Sequence, residues 1–153
     1  MKPPIQDRIH TLIVPLVNSS LLVPSALIAE VINIAKLIRV PRSEKWMLGL
    51  LNWRARPVPV VSFDFLLTSD LHPAGPKSKI VIFYPLPGRK PWDFFGVLTS
   101  AEPQPRTFSD AQALSNTVEN DNPYAAVTIK LETFVACIPD LDALKAVFYP
   151  DNI

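Results

Sequence analysis

The sequence predicts a mainly β protein: two small β-barrels in one chain, finished by a short C-terminal helix. Three observations lead there. The 153 residues hold 17 prolines and only 4 glycines, and prolines interrupt the chain every few residues up to about Pro105, which leaves little room for long helices. Apolar runs of strand length recur between turn signals. Turn-forming residues then gather in Thr68 to Lys79 (TSDLHPAGPKSK), which reads as a linker near 68–79 between two half-structures.

Residues 10–17 (HTLIVPLV) and 20–24 (SLLVP) form a first pair of strands across Asn18-Ser19-Ser20. From Thr11 to Ala29 there is no charge, a length that formally suits a membrane span. Pro15, Asn18, Ser19, Ser20, Pro24 and Ser25 punctuate it, so strands are expected and direct membrane insertion is not. Ser25 to Ile38 reads as a short helical turn, with Ser25 as cap, followed by a strand rich in β-branched residues.

After the polar connection Val40 to Lys45, the runs Trp46–Trp53 and Val58–Leu67 pair as an antiparallel hairpin. Beyond the linker, strands are expected at Ile80–Pro85, Phe94–Thr99 and Val127–Ile138, with loops at 86–93 and 103–123. A helical turn is expected within Ser109–Val118. The best helix is Asp140 to Phe148, capped by Asp140, with Leu141, Leu144 and Phe148 on one face.

Composition excludes several functions. Lys plus Arg number 15 and Asp plus Glu 14, a formal net charge of +1, so no electrostatic footprint for nucleic acid is expected. Cys137 is the only cysteine and sits in an apolar run, which rules out an internal disulfide and reads as a small buried hydrophobe. His10 and His72 have no carboxylate at ligand spacing. The four glycines are too scattered to cradle a phosphate, and no H-E-x-x-H, G-x-S-x-G or S-x-x-K stretch occurs. No catalytic residue, metal or cofactor is expected.

What remains is an interaction surface. Arg54 and Arg56 share side-chain parity in an extended chain, and a guanidinium over a sheet needs a partner. Glu30 stands alone in an apolar segment and needs one too. An ion pair between Glu30 and Arg54 across neighbouring strands satisfies both. Trp46 and Trp53 read first as core or rim residues.

The stretch LGLLNWRARPVPVVSFDFLL (48–67) resembles the central motif of the CheW-like family, with Gly49, Asn52, Arg54, Pro59, Val60 and Val61 on matching positions. Ala26 to Val31, Phe95 to Leu98 and Val135 to Leu144 resemble further family segments, so the likeness spans about residues 10–148. Two departures mark a divergent member. Ala55 replaces the glycine that usually follows the arginine, where a positive φ is less comfortable, and Ser62 replaces an aspartate, with Asp64 two residues on.

The resemblance implies one CheW-like domain over 1–153, made of two SH3-like five-stranded barrels. It also implies a cytoplasmic, non-enzymatic adaptor that couples the tips of chemoreceptors to the regulatory domain of a CheA-type histidine kinase. Divergence of the motif points to a pathway controlling twitching by type IV pili rather than flagella. Carried over, Glu30, Gly49 and Arg54 shape the partner-binding region, with Arg56 beside them. Ile28, Val97 and Leu98 are expected to wall an apolar groove between the barrels that takes a receptor helix. The competing expectation is a stand-alone β-barrel interaction module of an unrelated complex.

Overall fold

In the computed structural model, which describes residues 8–109, 117–130 and 134–150, eleven strands form two sheets. The first contains β1 (Arg8–Pro15), β2 (Ser20–Pro24), β8 (Gln104–Ser109), β9 (Thr117–Val118), β10 (Ala125–Lys130) and β11 (Val135–Pro139), in the order β8-β1-β2-β11-β10-β9. The second contains β3 (Ile28–Asn33), β4 (Met47–Trp53), β5 (Arg56–Val61), β6 (Lys79–Phe83) and β7 (Phe95–Leu98), in the order β3-β6-β7-β5-β4. The fold is thus mainly β with two small sheets, as expected. One sheet has five strands, and the other has six because the two-residue β9 is added at its edge.

The five-stranded sheet closes on itself. β3 and β4 are its two edges, and just past β3 the backbone of Ile38 exchanges two hydrogen bonds of 2.8 Å with Leu50 of β4. Gly49 makes this closure possible: a Cβ there would stand 2.8 Å from the Ile38 carbonyl oxygen and 2.9 Å from the Leu37 Cβ.

The connectivity corrects the expected division of the chain. Residues 68–79 join α1 (Phe63–Thr68) to β6, and the strands on either side, β5 and β6, belong to the same sheet. The chain instead starts in the six-stranded sheet and crosses at the 3-10 turn Ser25–Leu27. It builds the whole five-stranded sheet before returning through Thr99 to Pro103. The parallel pairing of β11 with β2 then joins the C-terminal strands to the first hairpin.

Three local differences have physical causes. The run Val58–Leu67 does not stay extended. Ser62 caps α1 by accepting from the Phe65 amide at 3.1 Å, and the strand ends at Val61. The expected single strand Val127–Ile138 is two, β10 and β11, which pair antiparallel. The expected loop 103–123 contains β8 and β9, while the helical turn placed within Ser109–Val118 falls largely on 110–116, outside the described residues. The expected helical turn and strand after Pro24 are present as Ser25–Leu27 and β3.

The two sheets share one core. Val14, Leu21 and Val23 of the first pack in one cluster with Val61, Val81, Phe95 and Val97 of the second. The C-terminal helix α2 (Leu141–Phe148), capped by Asp140 accepting from the Ala143 amide at 3.0 Å, follows β11 and packs on the other sheet. Its Phe148 ring lies 5.2 Å from both Trp46 and Phe95. Cys137 lies inside this core, where burial pushes its thiol up to about 11, so it behaves as a packing residue. No described helix is long and apolar enough to cross a membrane.

Candidate protein-binding site

The site grows from the tip of the β4–β5 hairpin. Trp53 pairs with Arg56, which leaves Arg54 and Ala55 as a two-residue turn with φ of 50° and 60°. Positive φ at both central residues is the geometry whose twist matches that of the flanking strands. The turn therefore keeps its left-handed form without the family's glycine, and two residues with Cβ atoms bear the strain.

This turn aims Arg54 back over its own hairpin. Its guanidinium carbon lies 4.3 Å from the centre of the Trp53 ring, and Nη2 is 3.2 Å from Glu30 Oε1. The same oxygen accepts from Trp53 Nε1 at 3.1 Å. Glu30 is aimed there by β3, whose register with β6 shifts between Ile28 and Glu30. The expected pair exists, but Arg54 is 64% and Glu30 42% exposed at the side chain, so it is a surface pair and adds little stability by itself. Its effect is to fix direction: stacking on one side and a carboxylate on the other leave the guanidinium with one favoured orientation.

A cavity of about 260 Å³ opens beside it, lined by Trp53, Arg54, Arg56, Pro91, Trp92 and Phe94. Both arginines thus meet in one site, brought there by the turn rather than by extended-strand parity. Among the described residues Arg56 has no ion-pair partner. The aromatic rings are linked: Trp53 to Phe94 at 5.0 Å, Phe94 to Tyr84 at 5.7 Å, with Lys90 Nζ 5.3 Å from the Trp92 ring. Trp92 and Tyr84 are about half exposed. Arginine with tryptophan and tyrosine on an open surface is the composition that carries most protein-binding energy.

Sequence reasoning missed Tyr84 and Trp92 and read Phe94 only as the first residue of a strand. The available signal was Pro91-Trp92 in a loop, where a large ring has no strand face to pack into.

The other expected site residues separate. Val97 is 1% exposed and belongs to the shared core, so it walls no groove: the space expected to receive a partner helix at that point is filled by the protein's own side chains. Ile28 is half-buried against that core. Leu98 pairs with Ile80 at the far end of β7, whereas Ile28 pairs through Phe83 with Phe95 at its near end, so the two do not share a wall. Gly49 lies at the barrel closure and acts on the fold. Among the described residues there is no cluster of three or more metal-ligating side chains.

Two small β-sheets on one shared core, the five-stranded one closed into a barrel, thus carry an oriented arginine beside an aromatic, basic cavity. The CheW-like domain model matches residues 10–147, and the chain belongs to the CheW-like family. A crystal structure described as the scaffolding protein TtCheW from Thermoanaerobacter tengcongensis superposes with a TM-score of 0.70. It covers 92% of this chain and 90% of its own, at 15% identity, and so supports the fold. No functionally curated protein matches the sequence.

Proposed function

We propose that the protein is a non-enzymatic adaptor that couples chemoreceptors to a CheA-type histidine kinase in a cytoplasmic chemosensory array. The observation that carries this reading is the family match, which runs over residues 10–147 and takes in both sheets and most of α2. The site geometry supplies a place for recognition. Arg54, held by Glu30 and Trp53, faces a cavity with Arg56, Pro91, Trp92 and Phe94. An adaptor performs no covalent step, so its work is to hold two partners at once through separate surfaces. Ile28 and Leu98 belong to this reading as apolar contacts at the margins of the five-stranded barrel. The motif departures at Ala55 and Ser62 favour a pathway controlling twitching motility.

Calorimetric titration of the protein against the regulatory domain of a CheA-type kinase from the same genome, and against the cytoplasmic tip of a chemoreceptor, tests this. Saturable binding near one to one is expected, weakened by Arg54→Ala and by Trp92→Ala in a protein that remains folded. Failure to bind any such kinase or receptor would favour a stand-alone β-barrel module of another complex. Unchanged affinity for both partners in Arg54→Ala would remove that residue from the site.

A further inference from the structure

The connection between β3 and β4 carries Lys36, Arg39, Arg42 and Lys45 with Glu44 as its only acid, a local excess of cations in a chain of net charge +1. Three of those cations, with Glu44, line a cavity of about 600 Å³ whose other walls include Met47, Leu48, Leu71 and His72. Arg39, Arg42 and Lys45 are exposed and make no ion pair among the described residues. His72 Nε2 is buried and has no hydrogen-bond partner. Arg42 is held at φ 60°, a conformation that residues with a Cβ adopt only under constraint.

Apolar surface continues past the charged rim. On the same connection Ile34 is 42% and Ile38 66% exposed, and Leu71 on the facing one is 51% exposed. The cavity's Met47 and Leu48 lie at the opposite end of β4 from Arg54, a strand of seven residues and so about 20 Å long.

We propose that this cavity docks an acidic, apolar peptide segment of a protein partner. Its carboxylates are held by Arg39, Arg42 and Lys45, and its apolar side chains rest on Met47, Leu48 and Leu71. Charge complementarity selects carboxylates: unpaired guanidinium groups take them in two-point contacts, and the orphaned imidazole nitrogen supplies a further polar contact. The apolar walls select a segment rather than a free anion, because Met47, Leu48 and Leu71 line the same cavity as the cations and a small carboxylate has no apolar side chain to rest on them. Nucleic acid fits less well, since Glu44 stands among the cations. The assignment goes beyond the adaptor reading and holds for any protein partner with such a segment.

The test is a titration of the isotopically labelled full chain, followed by proton–nitrogen correlation spectra. The probes are a synthetic peptide alternating glutamate and leucine, the same peptide with glutamine for glutamate, and citrate. Saturable shifts are expected at Val40 to Leu48 and at Leu71 and His72 with the glutamate peptide only. The R39E/R42E/K45E variant should weaken them at least tenfold, and Leu71→Ser, at an exposed position, should weaken them severalfold. Absence of saturable shifts, an equal response to the glutamine peptide or to citrate, or shifts confined to the Arg54 and Trp92 cavity would overturn the proposal. Kinase and receptor titrations decide the adaptor reading separately, so the two can fail independently.

Discussion

Trp53 and Glu30 are joined across the open end of the five-stranded barrel by an indole-to-carboxylate hydrogen bond of 3.1 Å, and the oxygen that accepts it also receives Arg54 at 3.2 Å. Trp53 is otherwise a core residue, 6% exposed among Leu51, Val58 and Ile80. Glu30 therefore ties a rigid element to a surface arginine, and its two bonds are separable by mutation.

Glu30→Gln retains an oxygen that accepts from the indole but loses the charge that holds Arg54. Thermal unfolding should move little, within about 0.5 kcal/mol, because an exposed ion pair contributes little. Glu30→Ala removes the acceptor as well and leaves a half-buried indole N–H to find water, at a cost of about 1 kcal/mol. Denaturant titrations followed by tryptophan emission would read both. Equal losses in the two variants would show that the indole bond does not support the site.

Ala55 offers a stabilising substitution. It sits at φ 60° in the hairpin turn, where a Cβ costs about 1–2 kcal/mol, while glycine adds about 0.5–1 kcal/mol of chain entropy in the unfolded state. Ala55→Gly should raise stability by roughly 0.5–1 kcal/mol with Arg54 left in place. A lower denaturation midpoint for this variant would mean that the turn relaxes away from positive φ when alanine occupies it.

The parts of this fold legible in the sequence are those set by neighbours along the chain. Asn18 and Ser19 announce the β1–β2 turn, whose closing bond runs from the Leu16 amide to the Ser19 carbonyl at 2.8 Å, and Asp140 announces α2. The Glu30 and Arg54 pair was legible because Glu30 stands alone in an apolar segment and a guanidinium over a sheet needs a partner. Helix α1 was not: its opening Phe63-Asp64-Phe65 alternates like a strand, and the Ser62 cap that ends β5 looks like one more polar strand position. Least legible was the return of the chain to its first sheet, since the parallel pairing of β11 with β2 joins residues more than a hundred positions apart with no local marker. Trp92 escaped for the same reason, because only the fold brings its loop beside Arg54.

Gly49→Ala tests the barrel closure. The new methyl would stand 2.8 Å from the Ile38 carbonyl oxygen, a backbone atom that cannot turn aside as a flexible side chain would. The two Ile38 to Leu50 hydrogen bonds must then lengthen or the strand must shift, at a cost of about 1–3 kcal/mol. Amide exchange at Ile38 and Leu50 should accelerate first. If exchange there stays slow and stability is unchanged, Gly49 acts at the surface and not in the closure.

Asp64 couples the two sheets and gives the protein a pH response of definite sign. It lies buried in α1, and its carboxylate accepts from the Val17 amide at 3.1 and 3.3 Å, so it holds the β1–β2 turn against the five-stranded barrel. Burial raises its pKa above the usual 3.8, opposed by the amides of Val17 and Asn18 and by the nearby His72. A raised value means that the folded state binds the proton more tightly than the unfolded chain. The contribution is fully present below 3.8 and is lost as the pH rises through the folded value. Asp64→Asn keeps an oxygen for the Val17 amide but cannot titrate. The melting temperature of the native protein relative to Asp64→Asn should therefore climb as the pH falls from 7 through the carboxylate range, about 4. A relative fall on acidification would show that the Val17 and Asn18 amides outweigh desolvation and that the carboxylate is the favoured form in the fold.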